Sequence, residues 1–308
     1  MTSPLISIIS PCFNEEHSIY PFLENILPIL KGLNKNYEII FINDGSIDST
    51  LNILLEAQKK YKHIRILNLA RNFGKEAALT AGLEYAKGDA IIPIDVDLQH
   101  PPKTIIKFIK EWENGYDIVV GKRLTRTGES RLKKITAKYF YHFYNKVSNI
   151  SIPKDVGDFR LMDKKVVNAL NLLPENQRFM KGLFSWVGFK SISVEYHQNE
   201  RCAGDSSFNQ WKLWNFAIDG ITSFSTLPLR VSLYIGIIIS FFSFLLAFIL
   251  ILETFFYGII IPGYVSTITM ILFLGGIQLI GIGILGEYIG RIYIETKRRP
   301  IYILENEY

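Results

Sequence analysis

Cysteine is nearly absent from the 308-residue chain: Cys12 and Cys202 lie far apart, with no CxxC and no paired histidine. That excludes a disulfide scaffold and a cysteine-rich zinc site, and it is compatible with a reducing compartment. Two nucleotide signatures are missing as well. No GxGxxG follows the first apolar run and no GxxxxGK with a following Ser or Thr occurs anywhere, so dinucleotide oxidoreductases and P-loop NTPases lose their main sequence support. Positive charge is missing from one block: residues 231–290 contain no Lys or Arg and only two acids, Glu253 and Glu287, although the whole chain carries a net charge of +5. The excess cations sit outside that block, where they suit a membrane surface, a phosphate ligand or a nucleic acid equally. With 48% hydrophobic residues the chain is not a disordered tail.

Within the cation-free block, Val231 to Leu252 and Ser266 to Gly286 are apolar stretches of about twenty residues, each long enough as a helix to cross a ~30 Å hydrocarbon layer. The intervening Gly258, Pro262 and Gly263 are turn signals, so the block predicts a transmembrane hairpin. Arg230 precedes it and Arg291, Lys297, Arg298 and Arg299 follow, which by the positive-inside bias puts both ends, and the large N-terminal part, in the cytoplasm. The first basic residue is Lys31 and the early apolar run stops at Pro11, so no secretory signal is expected. Glycines at 275, 276, 281, 283, 286 and 290 permit close helix approach, within the hairpin or between copies of a homo-oligomer.

Ahead of the hairpin, short β-branched runs at Leu5–Ser10, Glu38–Ile42, Ile64–Leu69, Ala90–Ile94 and Asp117–Val120 alternate with helical segments at Glu16–Leu30, Ser49–Tyr61, Glu76–Ala86 and Pro102–Asn114. Alternation of this kind predicts an α/β fold with buried parallel strands and helices on both faces. Ligands in such sheets collect beyond the carboxyl ends of the strands. The loops that rule selects are Pro11–Glu15, Asn43–Ser46, Ala70–Lys75 and Asp95–Gln99.

Asp95 and Asp97, two apart directly after a strand, suit a hard divalent cation, Mg²⁺ or Mn²⁺, holding a diphosphate. The alternative is a pair of solvated loop acids. Asp44 ends a strand and is placed to accept from a ribose hydroxyl or a base N–H, or else to cap the next helix as Asp48 or Ser49 would. Arg71, Lys75, Arg123, Arg131 and Arg201 are loop cations able to clamp phosphates, each weighed against an ordinary surface charge. Asp158 in Gly157-Asp158-Phe159-Arg160 reads as either a catalytic acid or a paired structural one. Two stretches, Arg131–Ser148 and Phe208–Phe224, interleave aromatic and basic or polar residues at helical spacing. Beside a membrane hairpin they suit helices in the headgroup layer better than nucleic-acid binding, with core packing as the alternative for the second.

These residues form a set. Pro11-Cys12-Phe13-Asn14-Glu15, Asn43-Asp44-Gly45-Ser46, Ala70 to Glu76, Asp95-Val96-Asp97-Leu98-Gln99, Val156 to Arg160, Trp211-Lys212-Leu213-Trp214 and Gly286 to Arg291 resemble the family 2 glycosyltransferases of GT-A fold that act on polyprenyl phosphates. The nearest resemblance is to the bactoprenol (undecaprenyl phosphate) glucosyltransferases of phage-type O-antigen modification, with dolichyl-phosphate mannosyltransferases more distant. The resemblance covers nearly the whole chain. It implies a Rossmann-like GT-A core at 1–130, an acceptor-side part with interfacial helices at 131–230, two transmembrane helices at 231–290 and a cytoplasmic tail at 291–308. It further implies a nucleotide site of Pro11, Phe13, Asn14, Glu15, Asp44, Ser46, Arg71, Lys75, Asp95 and Val96, a metal on Asp95 and Asp97, and catalytic roles for Asp158 and Asp97. Arg123, Arg131, Arg201 and Ser206 would handle donor or acceptor phosphate. One departure is Ser207, which stands where the family's pattern has a lysine after Arg201.

The reaction so implied is transfer of glucose from UDP-glucose to undecaprenyl phosphate, with inversion, at the cytoplasmic face of a bacterial inner membrane. A flippase and a downstream glycosyltransferase would be its partners. The alternatives are another donor sugar (mannose, GlcNAc or amino-arabinose), a processive polysaccharide synthase, disfavoured because Gln177-Arg178-Phe179 does not complete a QxxRW, and a non-catalytic scaffold that binds nucleotide-sugar.

Overall fold

The apolar runs of the sequence become the inner strands of one sheet, and the amphipathic segments become the helices that cover it. This is a computed structural model that describes residues 3–124, 156–176, 178–199, 222, 225–257 and 263–308. Strands β1 (Leu5–Cys12), β2 (Asn36–Asn43), β3 (Ile64–Leu69) and β4 (Ala90–Pro93) are parallel neighbours, with β1 between β2 and β4 and β3 beyond β2. Burial on both faces explains why each reads as an apolar run and not as an alternating pattern. Helices α1 (Ile19–Gly32), α2 (Thr50–Lys60) and α3 (Lys75–Tyr85) make the crossovers, and α4 (Thr104–Glu113) leads to β5 (Ile118–Arg123). In α1 the buried side chains Ile19, Phe22, Leu23, Ile26, Leu27 and Leu30 form one stripe at helical spacing, which is what holds it against the sheet.

Three strands were not legible as such. β6 (Val156–Asp163) runs antiparallel between β4 and β5, β7 (Ser191–Tyr196) lies parallel to β5 at one edge, and β8 (Leu304–Glu307) lies antiparallel to β3 at the other. The sheet therefore has eight strands in the order β7-β5-β6-β4-β1-β2-β3-β8, and a boundary at residue 130 does not divide it. Between β6 and β7 come α5 (Lys164–Asn171), capped by Asp163, whose side chain accepts from the Lys165 N–H at 3.0 Å, and α6 (Met180–Trp186). Two apolar cores flank the sheet. One gathers Phe22, Ile26, Leu54, Phe108 and Phe159 under α1, α2 and α4; the other gathers Ala78, Leu79, Val166, Leu170, Met180 and Leu183 under α3, α5 and α6.

The cation-free block forms two long helices, α7 (Leu227–Tyr257) and α8 (Tyr264–Thr296). At 1.5 Å per residue they extend about 46 and 50 Å, beyond the ~30 Å of hydrocarbon they would cross. Their described apolar side chains are exposed, Phe244 at 77% and Leu279 at 70%, and both helices are long and apolar enough to span a bilayer. A surface of this kind points to membrane association. Of the glycines in α8 only Gly281 approaches α7, its Cβ position lying 3.2 Å from Ser232 Oγ; the others have open space around them among the described residues.

The chain returns from the hairpin to the sheet, because the terminal residues that read as a tail include β8. The end of α8 is tied to the segment ahead of α6 by Glu295, which accepts from the Asn176 N–H at 3.0 Å. Beyond it, Tyr302 donates to Glu84 at 2.5 Å, the Ala70 N–H donates to Ile303 O at 3.0 Å, and Arg65 bridges Glu307 to Glu38. Glu305 accepts from the amide of Asn68, which is 5% exposed, at 2.7 Å. Replacing Glu305 by Ala strands that amide, a loss of ~1–3 kcal/mol. Glu305→Ala is expected to lower the melting temperature by about 2–6 °C, and Glu305→Gln, which keeps an acceptor, to restore most of it, as followed by thermal unfolding in detergent.

Candidate active site

The four strand-end loops are bonded in series, Asn14 to Ser46, Asp44 to Phe73 and Gly74, and Lys75, the first residue of α3, to Asp95. The Lys75 ammonium lies 2.8 Å from Asp95 Oδ1, after β4, and 3.2 Å from Asp158 Oδ2, on β6. Burial alone would lower the Lys75 ammonium, but the Asp95 and Asp158 carboxylates outweigh it and hold it raised. Burial likewise works against ionised Asp158, yet Lys75, Lys181 and Arg160 keep it far below the usual carboxylate range. Asp158 Oδ1 is buried with no hydrogen-bond partner among the described residues, so one carboxylate oxygen is presented to the site.

Around this centre the loops are fixed by backbone donors. Asp44, 3% exposed, accepts from the N–H groups of Phe73 at 2.7 Å and Gly74 at 2.9 Å, and burial raises its carboxyl in spite of them. Its first role is thus to hold the Ala70–Lys75 loop, ahead of the base or ribose contact that the sequence suggested. Gly45 sits at φ +64 with the Arg71 backbone 2.4 Å from where a Cβ would stand, so this turn admits only glycine. Asn14, at φ +55, donates its N–H to Ser46 Oγ at 3.0 Å and accepts from the Ile47 N–H at 2.9 Å. The Glu15 carboxylate accepts from Ser18 Oγ at 2.6 Å. Arg71 stacks over Phe73, 4.2 Å from its centroid, and Phe13 is 45% exposed at the rim. The relay from the terminal strand ends here: Glu305 holds Asn68, Asn68 accepts from Asn43 at 2.7 Å, and Asn43 Oδ1 faces the Ser46 N–H at 3.4 Å.

Asp95 and Asp97 do not lie on an extended strand. β4 ends at Pro93 and the chain turns through Leu98 at φ +59, so Asp95 faces Lys75 while Asp97, 4% exposed, accepts from the Gln99 N–H at 3.1 Å. Asp95 beside the Lys75 ammonium, with Asp97 two residues on, offers hard carboxylate oxygens that fit Mg²⁺ or Mn²⁺ if diphosphate oxygens and water complete the shell. Among the described residues no cluster of three or more His, Cys, Asp or Glu exists, so the protein alone does not make a closed cage. Val96 is 2% exposed inside the apolar core, and its side chain is not available to a nucleotide. Pro11, Lys75, Asp95, His100 and Asp158 line a space of only about 10 Å³.

Arg123 at the end of β5 reaches Gln198 at 3.4 Å, and Gln198 donates to Gln99 at 3.0 Å, which joins it to the Asp97 loop. Arg131, Arg201, Ser206, Ser207 and both aromatic-basic stretches lie outside the described residues. The sequence did not single out four neighbours. Buried His100 stacks on Phe159 and pairs with Tyr196 OH at 2.8 Å, its imidazole lowered by burial. Glu76, Arg160 and Lys181 surround Asp158, and burial followed by the Asp158 charge pushes Glu76 up to about 8. Their signal was periodic: Asp158 and Arg160 are two apart on a strand, so they share a face.

Residues 7–170 match glycosyl transferase family 2, and residues 227–292 match the GtrB C-terminal hairpin. The bactoprenol glucosyl transferase of Shigella phage SfV is 51% identical over 302 residues, covering 98% of each chain. A prophage bactoprenol glucosyl transferase homolog of Escherichia coli (strain K12) is 51% identical over 300 residues, 97% of this chain and 98% of that one. Among solved structures, a Mycobacterium tuberculosis glucosyl-3-phosphoglycerate synthase in complex with Mn²⁺, UDP and glucosyl-3-phosphoglycerate matches at TM-score 0.48 and 17% identity, covering 71% of this chain and 78% of that one. The eight-stranded sheet with its carboxylates at the strand ends, followed by the paired apolar helices, belongs to glycosyl transferase family 2, in the branch that carries the GtrB hairpin.

Proposed function

We propose that the protein transfers glucose from UDP-glucose to the phosphate of undecaprenyl phosphate, with inversion, at the cytoplasmic face of a bacterial inner membrane that its two C-terminal helices span. The observation that carries this reading is half identity, over nearly the full length of both chains, to proteins named bactoprenol glucosyl transferase, hairpin included. The site's chemistry supports it. A phosphate monoester with a second pKa of about 6 is largely dianionic at neutral pH, so its oxygen attacks the anomeric carbon without a strong base. Asp158, held ionised far below neutrality, is a poor proton acceptor and a good anionic wall. Its role is to orient the sugar and favour positive charge at the anomeric carbon, with Lys75 fixing its direction.

The carbon–oxygen bond to UDP breaks as the new carbon–oxygen bond to the lipid phosphate forms, and UDP leaves with the electron pair. Asp95 and Asp97 would hold a divalent cation, which supplies charge neutralisation at the diphosphate. Lys75 must then leave Asp95, and its long side chain, half exposed, permits this. Asn14, Glu15, Asp44, Ser46 and Arg71 frame the uridine side. The lipid-linked sugar formed would require a flippase and a downstream glycosyltransferase, and the open glycines of α8 are available to a second copy in a homo-oligomer.

Radiolabel transfer from a panel of UDP- and GDP-sugars into undecaprenyl phosphate, with solubilised full-length protein and Mg²⁺ or Mn²⁺, tests the reading. Labelled lipid from UDP-glucose supports it, label from another donor replaces the sugar, and no lipid product from any donor refutes it. In that assay Asp158→Asn is expected to cut turnover about a hundredfold or more with donor binding retained. Asp97→Ala, or chelation of the metal, is expected to cost as much. Glu76 gives a stability signature. Its folded pKa of about 8 lies above the ordinary 4.5, so its contribution is full at low pH and is lost as pH rises towards 8. Glu76→Gln should therefore melt progressively higher, relative to the wild type, between about pH 5 and pH 9.

A further inference from the structure

A second cavity lies behind Asp158, between α6 and the β5–β6–β7 part of the sheet. It measures about 190 Å³ and is walled by Val120, Val156, Phe184 and Phe189, with Arg160 and Lys181 as its cations. This is below the ~300–1,000 Å³ of pockets that enclose drug-sized ligands, so it excludes a nucleotide-sugar and suits a small head group. Arg160 is 4% exposed; its guanidinium stacks 3.8 Å over Phe184 and donates to Gly157 O at 2.8 Å, while its Nε is buried without a partner among the described residues. Burial lowers both cations, Arg160 to about 10, against the pull of Asp158 and Glu76. Arg123 is near enough to repel Lys181. Among the described residues Lys75, Lys181 and Arg160 act on Asp158, and Lys75 is shared with Asp95. A buried guanidinium whose Nε has no partner among the described residues, beside an ammonium at the wall of a cavity, favours an anion there.

We propose that Arg160 and Lys181 form the inner end of a phosphate monoester pocket, in which the acceptor's phosphate sits against the two cations and its first isoprene carbons against Phe184, Phe189 and Val156. The inference rests on the acceptor assigned above. Arg160 lies two residues along the strand from Asp158 on the same face, about 7 Å away, so a phosphate entering past it faces the sugar side. The segment just ahead of α6, a helix whose residues line the pocket, is bonded to the end of α8 through Asn176 and Glu295, so the pocket's helix is tied to the hairpin from which a lipid would arrive. Arg123 at the neighbouring strand end then serves the outer side of the same phosphate.

The test uses full-length protein in detergent, with glucose transfer measured against undecaprenyl phosphate at saturating UDP-glucose, and calorimetric titration with farnesyl phosphate and with inorganic phosphate. Lys181→Met and Arg160→Gln are expected to raise the KM for the lipid about tenfold or more while the KM for UDP-glucose stays within about twofold. Farnesyl phosphate is expected to bind the wild type at least tenfold tighter than inorganic phosphate, and to lose that binding in Lys181→Met. Arg160 is buried and its replacement puts folding at risk, so Lys181→Met, on the short α6, decides the matter. A folded Lys181→Met with unchanged lipid KM and farnesyl phosphate affinity overturns the pocket, as does equal wild-type affinity for farnesyl and inorganic phosphate. Absence of transfer in the wild type overturns the function reading instead, and the titrations still judge the pocket.

Discussion

Two carboxylates from different parts of the chain, Asp95 after β4 and Asp158 on β6, point into one small volume, and the Lys75 ammonium stands between them. Without a cation there, burial and mutual repulsion would force one carboxyl to take up a proton or turn away. With it, Asp158 stays ionised and α3 is anchored by its first residue. That anchoring carries further, because Phe73 and Gly74 immediately before Lys75 donate their N–H groups to Asp44. The Ala70–Lys75 loop and the Asp158 carboxylate are thus aligned by one ion pair. A flexible amine suits this position, since one long side chain reaches carboxylates on both loops.

The sheet extends the same constraint to the membrane. Without a further strand β3 would be an exposed edge, with its N–H and C=O groups open to wrong pairing. Here the residues that follow the hairpin close that edge as β8, and Glu305, Asn68 and Asn43 link it by side-chain hydrogen bonds to the Asn43–Ser46 turn. On the other flank, Glu295 holds the segment leading into α6, which covers the cavity with Arg160 and Lys181. The hairpin is therefore bonded to the rest of the chain at two places, through β8 at the sheet edge and through Glu295 at the segment ahead of α6. For an enzyme whose acceptor is confined to a bilayer, a fixed height and angle above it replaces diffusion as the means of bringing the reactants together.

Local pattern alone determined β1 to β5, α1 to α4 and the two hairpin helices, because the strands and covering helices bury a run or stripe that their own residues display and the hairpin helices are long apolar runs. The loops after β1 to β4, with Asp95 and Asp97, were selected by the rule that a parallel α/β sheet gathers its ligands at one end, whereas Asp158 stood out only by its motif. Strand β6 was hidden because Asp158 and Arg160, which alternate with Phe159 and Leu161, read as solvated polar residues of a turn, whereas they face a buried site. β8 was hidden because a strand of Leu-Glu-Asn-Glu has no apolar face; it is made by edge pairing and by Arg65 and Asn68, residues some 240 positions earlier. Tertiary structure alone decided that Val96 packs in the core, that Asp44 holds a loop, and that Glu76, Arg160 and Lys181 crowd around Asp158. A sequence fixes which residues can be charged or buried by their neighbours along the chain. Which charges share one desolvated space depends on distances across strands and helices, and these exist only once the sheet has formed.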